Sequence, residues 1–239
     1  MNYDSEFRLA DFICGSARQP GVSTVKMINL SSFIAYHARR APERCALKYR
    51  GHEISYSAFD ARIRKTGGWL ASRGLKPGDV VAVLMKNSAA FLDLAFASSH
   101  IGAVFLPINF RLSRDEVAYI VENSGARILI ADDELAGNAG GPAPVVLVDE
   151  ATQLDTTRLA PDAVPAPLHH VQSGDLMRLM YTSGTTDRPK GVMLTYDNMY
   201  WKSADQTIVL GLSRDTRLLV VGPLYHVGAL DLPGIAVLW

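Results

Sequence analysis

Residues 181–191 read Tyr181-Thr182-Ser183-Gly184-Thr185-Thr186-Asp187-Arg188-Pro189-Lys190-Gly191, four serine or threonine hydroxyls, two glycines and two cations in eleven residues. An apolar run over 176–181 leads in and a second over 191–195 leads out, so the stretch reads as a loop between two strands. Glycines let backbone N–H groups turn inward into an anion-binding concavity, and hydroxyls donate to phosphate oxygens or ligate magnesium. Lys190 adds a compact charge suited to a polyphosphate. A solvated surface loop is the bland alternative, and the Pro-Lys-Gly ending behind an apolar strand argues against it. The loop is not a P-loop, which needs Gly-Lys followed by Ser or Thr, whereas here Lys190 precedes Gly191. Neither a G-x-G-x-x-G fingerprint nor a G-x-S-x-G elbow occurs, which removes the main support for dinucleotide enzymes and α/β-hydrolases.

Upstream the pattern alternates. Residues 80–85, Val-Val-Ala-Val-Leu-Met, form an apolar run expected of a strand buried on both faces. Ser88 opens a helix to about 101, 102–106 start a strand, Ser113 begins a helix to about 124, and 127–131 form a further strand. Such alternation predicts an α/β fold with crossover connections and a mostly parallel sheet. Ahead of it, 29–40 has helical spacing with Ser31 or Ser32 as cap, 48–56 read as two short strands around Gly51, and Ser57 caps a helix over 58–73 closed by Gly74. Residues 1–28 read as an irregular leader and 132–174 as a peripheral connection with one buried strand at 145–148. Beyond the loop, a helix over 196–210 and a buried strand over 217–221 are expected, followed by Gly222-Pro223.

Composition narrows the partners. With 24 lysines and arginines against 24 aspartates and glutamates, no net field draws the chain to nucleic acid or an anionic membrane. No segment approaches the ~18 apolar residues of a membrane span, and charges interrupt the first thirty residues, so neither an integral membrane contact nor a secretory signal is expected. Cys14 and Cys45 stand far apart and read as free thiols in a reducing cytoplasm. His169-His170 reads as a surface pair rather than a metal site.

The loop resembles the Thr-Ser-Gly-Thr-Thr-Gly-x-Pro-Lys-Gly signature of the adenylate-forming (AMP-binding) superfamily. Two further segments are similar to that family's motifs in the same order: His100-Ile101-Gly102-Ala103-Val104-Phe105-Leu106-Pro107-Ile108-Asn109, and Pro223-Leu224-Tyr225-His226-Val227-Gly228-Ala229. The resemblance runs from Asn29 to the end. It implies stacked mostly parallel sheets with flanking helices, and activation of a carboxylic acid with ATP to an acyl-adenylate, then transfer to coenzyme A. Thr182, Ser183, Gly184, Thr185, Thr186, Lys190 and Gly191 would hold the ATP phosphates, with Thr185 or Thr186 beside Mg2+. His226 would act near the carboxylate and α-phosphate, with Tyr225 and Gly228 lining the acyl entrance. Amino-acid-activating members carry an aspartate where 224–227 read Leu-Tyr-His-Val, so the chain resembles acyl-CoA synthetases of fatty or aryl acids, the fatty acid being the first expectation.

Two departures stand out. Asp187 replaces the signature's glycine; a carboxylate ~8 Å from a phosphate charge costs on the order of 2 kcal/mol at an effective dielectric near 20, so it is expected to face outward and pair with Arg188 or another cation. The sequence also ends at Trp239 without the family's later motifs: the Tyr-Gly-x-Thr-Glu segment, the ribose-binding aspartate and the C-terminal lysine. Residues 29–239 are therefore expected to be a partial N-terminal domain. The alternative is a non-catalytic nucleotide- or acyl-binding module that works with a second copy or with a separate chain supplying the rest.

Overall fold

The computed structural model describes residues 26–182 and 188–238. Helix α1 (Leu30–Arg40) leads to the hairpin β1 (Cys45–Tyr49) and β2 (His52–Ser55), then helix α2 (Tyr56–Ser72). The central run is β3 (Val80–Leu84), α3 (Ala89–His100), β4 (Val104–Pro107), α4 (Arg114–Asn123) and β5 (Ile128–Asp132). After β6 (Val145–Val148) and α5 (Glu150–Leu154) come β7 (Leu176–Thr182), β8 (Lys190–Thr195), α6 (Tyr196–Val209) and the single turn α7 (Val227–Leu230). A six-stranded sheet has the order β6-β5-β3-β4-β7-β8, with β8 antiparallel to β7 and the other pairings parallel. The expected α/β fold, a mostly parallel sheet with flanking helices, is what forms.

Burial explains the order. Every residue of β3 and β5 is buried, as a strand covered by helices on both faces must be. Helix α3 is apolar on nearly all sides and, Leu92 excepted, buried throughout, lying between the sheet and helices α1 and α2. Leu94, Phe91 and Phe96 fill one core with Phe59 and Phe105, while Val80, Leu84, Leu106, Val117 and Leu129 form a second core on the opposite face.

Several local expectations are corrected. Asn29, not Ser31 or Ser32, caps α1: its Oδ1 accepts from Ser31 N at 2.9 Å and from Ser99 Oγ at 2.9 Å, so tertiary contact selects the cap. Ser55, not Ser57, caps α2, because the chain turns straight from β2 into the helix and buries Tyr56. Gly74 closes that helix with φ 85°, as expected. Strand β6 is buried only in part: it is a sheet edge, and Val145 and Leu147 lie exposed while Val148 is buried. Residues 217–221 form no strand; they run without a ladder partner, with Leu219 82% and Val221 89% exposed. An apolar run has strand propensity but forms a strand only with a ladder partner, and none pairs with it among the described residues. Of the leader over 1–28, residues 1–25 lie outside the described residues, while Lys26 bridges to Gln172.

The 132–174 connection is stitched to the helices. Asp93 on α3, wholly buried, accepts from Arg62 Nη2 at 2.6 Å, Arg62 Nε at 3.0 Å and Thr156 Oγ1 at 2.9 Å. Burial pushes its carboxyl up to about 6, against the pull of Arg62 and Thr156. A raised folded value means that protonation favours the folded chain: the contribution is complete below the ordinary carboxylate range and is lost as pH rises through 6. Between pH 7 and pH 4 the stability difference between wild type and Asp93→Asn is therefore expected to move by about 2 kcal/mol in favour of wild type. Urea denaturation of both proteins at the two pH values measures it, and equal shifts would exclude a raised Asp93.

Candidate functional site

Because β5, β3, β4 and β7 are parallel, their carboxyl ends share one sheet edge, where α/β folds hold ligands. The Ser/Thr/Gly loop after Thr182 joins β7 to β8, whose ends meet at this edge. Thr182 pairs in register with Lys190, and Tyr181 with Gly191. Thr182 and Lys190 are exposed, and among the described residues no carboxylate pairs with Lys190. Ser183, Gly184, Thr185, Thr186 and Asp187 lie outside the described residues, as does the expected pairing of Asp187 with Arg188.

Helix α4 anchors both ends of this loop. Tyr181 Oη donates to Asn123 Oδ1 at 2.6 Å, and burial pushes the phenol well above its ordinary range, so it stays neutral. One turn earlier on α4, the ring of Tyr119 lies 5.4 Å from the Arg188 guanidinium carbon, a cation–π contact. Tyr119 and Asn123 are four residues apart and so share a helix face. The sequence reading missed both; that spacing opposite Tyr181 and Arg188 was the available signal.

A second segment arrives at the same edge from the far end of the chain. Asn87, just after β3, brackets Pro223: its Nδ2 donates to Gly222 O at 2.8 Å and its Oδ1 accepts from Leu224 N at 2.7 Å. Phe110, beyond β4, meets the ring of Tyr225 edge-on at 5.3 Å. His226 then caps α7, its Nδ1 accepting from Gly228 N at 3.1 Å, while the residue as a whole is exposed. An accepting Nδ1 in a neutral imidazole places the proton on Nε2. The His226 segment is thus held by loops that follow β3 and β4, and the 183–187 loop follows β7. One edge collects the His226 segment and the two ends of the loop, Thr182 and Lys190.

The family model described as AMP-binding enzyme matches residues 34–238. The chain belongs to the AMP-binding enzyme family. Feruloyl-CoA synthase from an Amycolatopsis species is 36% identical over 204 residues, 85% of this chain and 40% of that protein. The ATP-bound structure of MatB from Rhodopseudomonas palustris superposes with a TM-score of 0.75 at 28% identity, over 88% of this chain and 44% of that one. The o-succinylbenzoate CoA synthetase (MenE) of Bacillus subtilis, in complex with its acyl-adenylate intermediate, gives a TM-score of 0.74 at 26% identity, over 89% and 43%. The chain spans about 40% of the length of the curated relatives it matches.

Within this AMP-binding chain the third motif, 100–109, serves the scaffold. His100 is buried between α1 and the 160s: Nε2 lies 3.0 Å from the Ala166 carbonyl oxygen, which can only accept, and Nδ1 lies 2.9 Å from Ser31 Oγ. Burial pushes its pKa down and keeps it neutral. Gly102 has φ 74°, and a Cβ there would meet the His169 ring at 2.3 Å, so both conformation and space demand glycine. His170 is exposed and His169 half-buried. Asn109 Oδ1 accepts from Arg111 N at 2.9 Å, which fixes the turn after β4. A cavity of about 790 Å³ lies among α1, β1, α6 and 212–220; Leu224, Ala229 and Leu230 line it, but Tyr225, His226 and Gly228 do not. Among the described residues no cluster of His, Cys, Asp and Glu could hold a metal, and no helix is long and apolar enough to cross a membrane.

Proposed function

We propose that this chain is the nucleotide-gripping part of an AMP-forming acyl-CoA ligase, with residues 29–239 as a partial N-terminal domain. The observation that carries the reading is the exposed Lys190 in register with Thr182, at the sheet edge to which Asn87 also holds the His226 segment. A compact cation beside a threonine hydroxyl, at the mouth of a Ser/Gly/Thr loop, suits the oxygens of a polyphosphate. In this reading Thr182, Ser183, Gly184, Thr185, Thr186, Lys190 and Gly191 hold the β- and γ-phosphates, and Thr185 or Thr186 lies beside Mg2+. The substrate carboxylate attacks the α-phosphorus in line, the bond to the β-phosphate oxygen breaks, and pyrophosphate leaves. The protein's part is positioning and charge neutralisation.

His226, exposed and with its Nδ1 taken by Gly228 N, serves through Nε2–H as the donor nearest the carboxylate and α-phosphate, with Tyr225 and Gly228 at the acyl entrance. Coenzyme A is the acyl acceptor, and a cytoplasmic location agrees with the free thiol at Cys45. For the acid, the names of the relatives move the choice from the fatty acid first expected toward an aryl acid, since feruloyl and o-succinylbenzoyl groups are aromatic. The short span against those relatives favours one second reading, a module that binds nucleotide and relies on residues supplied elsewhere for the chemistry.

Equilibrium binding of ATP with Mg2+ to the 239-residue chain, run beside carboxylate-dependent ATP–pyrophosphate exchange, separates the two. Exchange stimulated by an aryl acid is the expected result for the ligase. Binding without exchange selects the module, and absence of both rejects either reading.

A further inference from the structure

Asp231 is buried, 1% exposed, at the carboxyl end of α7, the turn that His226 begins. It is gripped from both sides of the phosphate-loop hairpin. Arg178 on β7, four residues before Thr182 and itself 1% exposed, donates from Nη1 to Asp231 Oδ1 at 2.6 Å and from Nη2 to Oδ2. Lys202 on α6, which follows β8, places its Nζ 3.6 Å from the same Oδ2. The strand entering the loop and the helix after the strand leaving it thus converge on one carboxylate. That carboxylate ends the turn begun by His226.

Stability alone does not account for these charges. Each buried ion costs several kcal/mol of lost hydration, and an apolar pair of similar volume is commonly as stable or more so. Arg178 interrupts a strand otherwise apolar at Met177, Leu179 and Met180, and its Nε has no hydrogen-bond partner among the described residues, a further cost. What the forked guanidinium–carboxylate contact provides is a fixed distance and angle.

We infer that Asp231 is a positioning residue that sets the His226 turn and the phosphate-loop hairpin in one fixed relation, so that nucleotide in the loop orders the turn carrying His226. The inference rests on the reading of the 182–191 loop as an ATP site. Asp231 touches no substrate in this scheme; it acts through Arg178 and Lys202.

Hydrogen exchange of the 222–233 backbone, read by mass spectrometry with and without ATP and Mg2+, tests it. The amides of Ala229 and Leu230 bond to His226 O, and that of Asp231 to Val227 O, so they report the turn directly. In wild type, ATP is expected to slow their exchange at least about 5-fold, the lower range of ordinary site–site coupling. In Asp231→Asn the ATP-induced slowing is expected to vanish while ATP still binds within about 3-fold of wild type, because the loop residues are untouched. Should Asp231→Asn unfold, the triple variant Arg178→Met, Lys202→Met and Asp231→Leu removes all three charges without stranding any of them, and the same loss is expected. Slowing retained in a folded variant would overturn the inference while leaving the ATP site standing. Failure of wild type to bind ATP would overturn both. A purely structural Asp231 would instead raise exchange equally with and without ATP and lower Tm, leaving the ATP-induced difference intact.

Discussion

Replacing Lys190 with alanine is expected to weaken binding of ATP and Mg2+ about 30-fold, roughly 2 kcal/mol, by the arithmetic of a lost charge pair. At 4 Å a unit pair is worth about 1 kcal/mol in bulk water and about 4 kcal/mol at an effective dielectric of 20. Lys190 is exposed at the first position of β8, and the middle of that range applies to a cation facing a multiply charged phosphate with solvent at its back. The same exposure keeps the fold out of the result: replacing a surface lysine that has no carboxylate partner among the described residues changes stability within about 0.5 kcal/mol, so Tm is expected to stay put. Lys190→Arg retains the charge with a different shape and is expected to recover most of the affinity. Titration calorimetry at two salt concentrations completes the test, because the lost increment is largest at low salt. Affinity within threefold of wild type for Lys190→Ala would remove the loop from the nucleotide site.

Replacing Gly68 with alanine is expected to destabilise the protein by about 3 kcal/mol, with a fall in Tm of roughly 6–12 °C for a chain of this size. Helix propensity alone predicts the opposite, since glycine inside a helix costs about 1 kcal/mol relative to alanine. Space decides the sign. A Cβ on Gly68 would stand 1.8 Å from the carbonyl oxygen of Val164 and 2.9 Å from its carbonyl carbon. That backbone cannot step aside freely: Ala166 N donates to Arg64 O at 3.0 Å, and Ala166 O lies 3.0 Å from His100 Nε2. Moving it strains both backbone hydrogen bonds of Ala166, two residues beyond the clash. Gly67 is the internal control. A Cβ there would meet the Ile101 Cγ2 methyl at 3.1 Å, a side chain that can shift, so Gly67→Ala is expected to cost about 1 kcal/mol or less. A rise in Tm for Gly68→Ala would mean that the 164–166 strap does not lie on α2.

How much of this was legible in advance depends on the range of the interaction. The order β3, α3, β4, α4, β5 was legible because burial on two faces writes continuous apolar runs, and helices between them write capped periodic ones. Ser88 and Ser113 were readable caps because a cap bonds within three residues of itself. Asn29 was not, since what selects it over Ser31 is Ser99, 70 residues away. Residues 217–221 failed for the same reason: strand propensity is local, but a ladder partner is not. At the site, the loop and the His226 segment could be named from their residues, while Asn87, Tyr119, Asn123, Arg178 and Asp231 could not. Each is an ordinary residue whose role exists only through a partner far along the chain.

By itself, the sequence of 181–191 determined that the chain presents a Ser/Thr/Gly loop ending in Lys190, and with the motifs at 100–109 and 223–229 it determined the family. Those are statements of local chemistry, since hydroxyls, glycine freedom and a lysine charge belong to the residues whatever surrounds them. The tertiary structure decided that 223–229 returns to the sheet edge where that loop's ends, Thr182 and Lys190, lie, that α4 holds both ends of the loop, and that one buried carboxylate joins the loop's two flanks to the His226 turn. The reason is physical: parallel strands send their carboxyl ends to one edge only when crossover helices bring them into register. Hydrogen bonds and ion pairs then act over a few ångströms of space, indifferent to the 53 positions of sequence that separate Arg178 from Asp231.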